Sequence, residues 1–137
     1  MPVGTEADMK TLPPALKARI ACDESLKNAA SALRLIDHGG TCGIFNIKLM
    51  KCGGLLGAFE IANIAAYANI DLFWGCFDES TLSITAALHA AMACPATRYI
   101  DLDGSFDLAE DPFKGGFQLR EGYLYPNERP GFGIQPV

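Results

Sequence analysis

The sequence has no basic run, no apolar stretch long enough to span a membrane and no CxxC pair. Each lack removes a class of function. Lysine and arginine number 11 against 16 aspartates and glutamates, a net charge of -5. Without clustered cations there is no electrostatic footprint for a nucleic acid. The densest apolar segments are interrupted by Gly, Asn or Glu, so no transmembrane helix is expected. Met1-Pro2-Val3-Gly4-Thr5-Glu6-Ala7-Asp8 lacks the positive-then-apolar order of a signal peptide. The cysteines are odd in number (Cys22, Cys42, Cys52, Cys76 and Cys94) and show no zinc spacing. Small buried hydrophobes in a reducing cytoplasm account for them best.

What is present is a globular composition, 50% hydrophobic and 20% charged over 137 residues. That is enough for one domain with a core. A strand-then-helix unit recurs along the chain. Residues 19–23 read as a strand, followed by a helix from Ser25 to Ile36 that His38-Gly39-Gly40 stops. Residues 43–49 read as the second strand and Gly54 to Ala68 as the second helix. Residues 70–77 and 98–102 read as the remaining strands, around a helix from Ser80 to Met92 capped by Ser80 or Thr81. The remainder is loop-rich, with a short hairpin near Phe117 to Tyr125. Alternating strands and helices imply parallel strands. Four units are too few for a full eight-stranded barrel of ~250 residues. They suffice for half of one, or for a small open sheet.

Lys48 ends the apolar run Ile44-Phe45-Asn46-Ile47-Lys48-Leu49, ahead of Gly53-Gly54. A cation at the rim of an apolar sheet requires carboxylates, a metal site or an anion nearby. Lysines so placed serve as bases or Schiff-base amines; the plainer alternative is an amine that snorkels to solvent. Strand parity adds to the picture. Arg19, Ala21 and Asp23 share one face, as do Ile44, Asn46 and Lys48, and Tyr99, Asp101 and Asp103. Phe45, Ile47 and Leu49, with Ile100 and Leu102, take the opposite face and are expected to pack on helices. Asp23, Lys48 and Asp101 then meet at the carboxyl ends of the strands, where barrel enzymes build their sites. Glu79 shares the parity of Gly75 and Phe77 and is a weaker candidate for the rim, as electrophile or hydrogen bonder. Lys51 reads as helix entry rather than site, and Trp74 as core. His38 and His89 read as structural. Helix capping remains an alternative for Asp23, and turn formation for Asp101 and Asp103.

Asn46-Ile47-Lys48-Leu49-Met50-Lys51-Cys52-Gly53-Gly54 resembles the sixth-strand signature of the enolase superfamily, in its muconate lactonizing enzyme subgroup. Asp101-Leu102-Asp103-Gly104 resembles the eighth-strand Asp-x-Asp motif of that subgroup's dipeptide epimerases. Ala21-Cys22-Asp23-Glu24-Ser25 and Gly75-Cys76-Phe77-Asp78-Glu79-Ser80 resemble the ends of its fifth and seventh strands. Pro130-Gly131-Phe132-Gly133-Ile134 is similar to the family's tail.

The resemblance implies an α/β fold, the C-terminal half of a (β/α)7β TIM-type barrel without a capping domain, with residues 1–137 as one partial domain. It implies Mg²⁺-assisted epimerisation of the C-terminal residue of a dipeptide such as L-Ala-D/L-Glu. Lys48 would be one of two acid/base lysines, Asp23 a metal ligand, and Asp101 and Asp103 the receptors of the dipeptide's ammonium group. The chemistry explains the residue types. A proton α to a carboxylate is a weak acid, its removal makes an enediolate, and Mg²⁺ stabilises that charge.

The Lys-x-Lys motif, the first two metal ligands and the capping domain of a complete member have no counterpart in these residues. The expectation is a chain starting past the fourth strand, with Met1-Pro2-Val3 following that strand's end, and inactive in isolation. Its partners would be a dipeptide and the missing N-terminal half, or a second copy of itself in a non-catalytic half-barrel dimer. A lactonizing or o-succinylbenzoate synthase-like activity is disfavoured, because those substrates carry no ammonium for Asp101 and Asp103.

Overall fold

The computed structural model describes residues 4–37 and 40–137. Met1-Pro2-Val3 and the His38-Gly39 part of the helix stop lie outside the described residues. Two single-turn helices, α1 (Glu6–Met9) and α2 (Pro14–Lys17), precede a parallel sheet. The sheet holds β1 (Ala21–Cys22), β2 (Ile44–Ile47), β3 (Asp71–Trp74) and β4 (Thr97–Ile100), in the order β1-β2-β3-β4. Ile44 lies opposite Ala21 on one side and Asp71 on the other, and Trp74 lies between Ile47 and Ile100. The crossovers run through α3 (Ala29–Ile36), then α4 (Leu49–Cys52) with α5 (Leu55–Ala68), then α6 (Thr81–Ala93). Neighbouring helices pack together, α3 on α5 and α5 on α6. This is the α/β architecture expected, with four parallel strands in one sheet.

The core lies between sheet and helices. Phe45, Ile47, Leu72 and Trp74 are at most 1% exposed, and each such side chain contributes roughly 1.5–3 kcal/mol by leaving water. Trp74, read as core, donates its indole N–H to Thr97 Oγ1 at 3.0 Å, which removes the cost of burying it. Ile100 departs from expectation. It shares Trp74's face, but β4 is an edge strand and Ile100 is 48% exposed.

The strands are shorter than their apolar runs. α3 starts at Ala29 rather than near Ser25, because Asn28 and Ser31 form a reciprocal capping box there. Ser25 instead donates its hydroxyl to Glu6. The second strand stops at Ile47, not Leu49. Lys48 becomes the N-cap residue of α4, and Gly53, at φ 80°, closes that turn in the left-handed conformation. Ser80 occupies the N-cap position of α6 but makes no side-chain cap bond. Asp111 does that work from 30 residues away: its Oδ2 accepts from the amide and the hydroxyl of Thr81, both at 2.6 Å.

The expected hairpin is β6 (Phe117–Arg120) against β7 (Tyr123–Pro126), joined by Glu121 and Gly122 at positive φ, the geometry that matches strand twist. It is flanked by β5 (Phe113–Gly115) paired with β8 (Ile134–Pro136). His89 packs its ring edge-on against Phe132 of the tail, 5.4 Å between centroids, as befits a structural residue. Among the described residues no helix is long and apolar enough to cross a membrane, and all five cysteines are free.

Candidate functional site

Parallel strands end on the same side of a sheet, so residues just past β1, β2, β3 and β4 share one mouth. Asp23 follows β1, and its backbone carbonyl accepts from Leu26 N in a tight turn at 2.9 Å. Its carboxylate does not cap a helix. Oδ2 lies 3.3 Å from Lys48 Nζ, and Oδ1 accepts from Lys51 Nζ. Lys48 does not snorkel outward: its side chain is 13% exposed, and its ammonium lies 3.9 Å from Glu24 Oε1 and 4.6 Å from the centre of the Phe77 ring. The ring face attracts a desolvated cation and shields it from water.

Lys51 is the residue that sequence reasoning left out of the site. It does lie at the helix entry, but its side chain is only 6% exposed and faces the mouth. Besides the Asp23 carboxylate, its ammonium donates to Asp23 O at 2.8 Å and Asn46 O at 3.2 Å. Lys48 and Lys51 are three apart around a single helical turn, which brings both amines to one carboxylate. Lysines at that spacing, followed by Gly53-Gly54, were the signal available. Burial pushes the Asp23 carboxyl up, but the Lys51 hydrogen bond and the charges of Lys51 and Lys48 outweigh it and hold it below its ordinary value.

Asp101 and Asp103 follow β4 and are exposed. Asp101 continues the ladder through its N–H to Trp74 O at 2.9 Å. The turn alternative holds for the backbone of Asp103, which opens a 3-10 turn, Gly104–Asp107. Its side chain does not cap that turn. Cys76, just past β3, joins this segment to the sheet, with its sulfur 3.3 Å from Asp101 O and 3.8 Å from Asp103 Oδ1. Gly104 comes so close to β3's end that a Cβ there would sit 2.0 Å from Phe77 O. Phe77 therefore touches both sides of the mouth, Lys48 on one and Gly104 on the other.

Glu79 is 6% exposed. Oε1 accepts from Phe77 N at 2.9 Å and Oε2 from the Ser83 hydroxyl. With both oxygens engaged it fastens the β3–α6 loop.

Among the described residues no group of three or more His, Cys, Asp or Glu side chains gathers to hold a metal. Asp23 offers a hard-oxygen donor at the mouth, with its carboxyl held below its ordinary value. It suits one position of an oxygen-rich Mg²⁺ sphere, not the whole.

The chain is 60% identical over 133 residues to the L-Lys-D/L-Arg epimerase of Methylococcus capsulatus, covering 97% of this chain and 37% of that protein. It is 33% identical over 118 residues to the L-Ala-D/L-Glu epimerase of Clostridium acetobutylicum, covering 86% of this chain and 33% of that protein. Its fold superposes with a TM-score of 0.95, at 60% identity, on the dipeptide epimerase from Methylococcus capsulatus complexed with Mg and the dipeptide L-Arg-D-Lys. That match covers 98% of this chain and 38% of that one, so the strands correspond to the C-terminal half of a TIM-type barrel and the chain spans little more than a third of these relatives. Residues 1–137 match the family described as enolase C-terminal domain-like, and the chain belongs to it.

Proposed function

We propose that this chain supplies the C-terminal strands of a dipeptide epimerase, with a dipeptide of cationic residues as its substrate. The observation that carries this is the Lys48 ammonium, held on Phe77 and 3.3 Å from Asp23, at a mouth shared with Asp101 and Asp103. In this reading Lys48, as the free amine, takes the α-proton from one face of the dipeptide's C-terminal residue and returns it as the ammonium. Asp101 and Asp103 receive the dipeptide's own ammonium and set which Cα faces Lys48. Lys51 holds Asp23 in place. Asp23 is one ligand of Mg²⁺, which when bound supplies charge stabilisation for the enediolate.

The charge of the surrounding loops supports this substrate class. Asp78, Asp101, Asp103 and Asp107 are exposed in the loops that follow β3 and β4, with Glu24 exposed after β1. The two lysines of the mouth are already paired with Asp23. These exposed carboxylates favour a substrate with basic side chains over one ending in glutamate. The relationship to the L-Lys-D/L-Arg epimerase supports that choice over L-Ala-D/L-Glu.

Epimerisation by two bases needs a second amine on the other face of Cα. The described residues bring only Lys48 and the Asp23-bound Lys51 to the mouth. β1 and β4 each pair on one side only, and Tyr99 and Ile100 at the open end are each about half exposed. These edges favour a polypeptide partner that completes the barrel, either the N-terminal half or a second copy of this chain. On this reading the 137 residues alone exchange no α-proton.

The test is solvent deuterium incorporation into L-Lys-L-Arg, with L-Ala-L-Glu as comparison, by the chain joined to an N-terminal half-barrel and supplied with Mg²⁺. Exchange that is faster on the basic dipeptide and lost at least a hundredfold in Lys48→Met is expected. No exchange by the joined protein, or exchange indifferent to Lys48, would remove the proposal. Sedimentation of the chain alone decides between a monomer and a second-copy dimer.

A further inference from the structure

Cys76 takes no part in the chemistry above, yet its sulfur sits among the backbone and side chain of the acid pair. Its single S–H faces Asp101 O at 3.3 Å and Asp103 Oδ1 at 3.8 Å, and the sulfur accepts from Gly104 N at 3.4 Å. Three positions of one loop therefore converge on one atom at the end of β3. A sulfur can do this because it is a weak donor and a weak acceptor at once. Apart from the sulfur, the loop is tied down by Leu102, which is buried in the core between the two acids, and by Phe106, whose ring packs edge-on against Phe117. Asp101 N reaches Trp74 O, and Phe106 N bonds only to Asp103 O within the turn. Gly104 is buried against Phe77, so the loop cannot shift inward when the sulfur is removed.

We infer that Cys76 is a positioning residue for ammonium recognition: through its contacts with Asp101, Asp103 and Gly104 it holds the two carboxylates at the spacing a substrate ammonium requires. The inference rests on the reading that Asp101 and Asp103 bind that ammonium. Burial, followed by the nearby Asp103 and Glu79 charges, pushes the Cys76 thiol up and keeps it a donor at neutral pH. The loop thus depends on an uncharged tether between two acids. A cation there would compete with the substrate, and a carboxylate would repel the pair.

The experiment compares wild type, Cys76→Ala and Cys76→Ser in the barrel-completed protein. Binding is measured for L-Lys-L-Arg and for N-acetyl-L-Lys-L-Arg, which has no ammonium at its N-terminus. Amide exchange at Gly104 is followed by NMR in the same samples. Cys76→Ala is expected to weaken the free dipeptide about tenfold, leave the acetylated one unchanged and speed Gly104 exchange, with α5 amides unaffected. Cys76→Ser, which keeps a donor and acceptor with shorter reach, is expected to recover much of both effects. Equal weakening of both ligands, or none, overturns ammonium positioning, and unchanged Gly104 exchange overturns the tether itself. If wild type binds neither dipeptide, the epimerase reading fails and this inference with it. The exchange result then still reports separately whether the sulfur holds the loop.

Discussion

Replacing Lys51 by Met keeps the length and apolar stem of the side chain and removes only its donors. The structure sets the size of the loss. Asp23 O at 2.8 Å, Asn46 O at 3.2 Å and one Asp23 carboxylate oxygen lose their partner. A hydrogen bond from a charged donor is worth roughly 1.5–3 kcal/mol, and stripping one partner from a buried pair costs more because the other is stranded. The Asp23 side chain is 38% exposed, however, and water rehydrates much of it. Lys48 also remains as a second partner at 3.3 Å. The balance is a loss of about 3 kcal/mol, close to the value of the two backbone bonds plus a screened ion pair. For a chain of this size that lowers Tm by about 10 °C.

The pH dependence carries a sign. Asp23's folded-state pKa is depressed, so the stability its pairing supplies is full above the unfolded pKa of about 4 and fades as pH falls through the folded value. The gap between wild type and Lys51→Met should therefore be widest near neutrality and narrow on acidification. Thermal unfolding followed by circular dichroism between pH 3 and pH 7 measures both. A Tm within about 2 °C of wild type at pH 7, or a gap that does not narrow in acid, would refute the assignment of Lys51 as the clamp on Asp23.

Three further outcomes are expected. Asp111→Ala removes the acceptor of the Thr81 amide and hydroxyl and should cost about 1–2 kcal/mol in denaturant unfolding, as the loss of a helix N-cap does. Burial pushes the Asp111 carboxyl up, but hydrogen bonds from Thr81 and Phe113 hold it below its ordinary value, so this contribution too is present above about pH 4 and lost in acid. Gly104→Ala puts a methyl 2.0 Å from Phe77 O and must move backbone, so a loss of about 2 kcal/mol or more is expected, with weakened dipeptide binding by calorimetry. Glu79→Gln keeps an acceptor for Phe77 N, and both carboxylate oxygens are engaged within the β3–α6 loop, so proton exchange by the completed barrel should change less than about threefold.

Local chemistry was legible from the residues alone. Leu55–Ala68 and Thr81–Ala93 are helices where helical spacing put them, and the hairpin turns at Glu121-Gly122 within the expected segment. Parity carried Lys48 to the right side of the sheet because side-chain alternation is a property of any strand. It misjudged Ile100, since parity says which face a residue takes and not whether anything covers that face. It said nothing of the bonds Glu79 makes to Phe77 N and Ser83, because alternation ends where the strand ends, and β3 stops at Trp74.

Strand and helix periods, turn glycines and the order of the four β–α units follow from short-range sterics and patterning, and the sequence by itself determined them. The contacts that make the mouth and cap α6 join residues about 25 to 30 apart: Lys51 to Asp23, Cys76 to Asp101 and Asp103, and Asp111 to Thr81. Those were decided only by the tertiary structure. A hydrogen bond depends on tenths of an ångström between side chains, and only the packed path of the chain sets that distance.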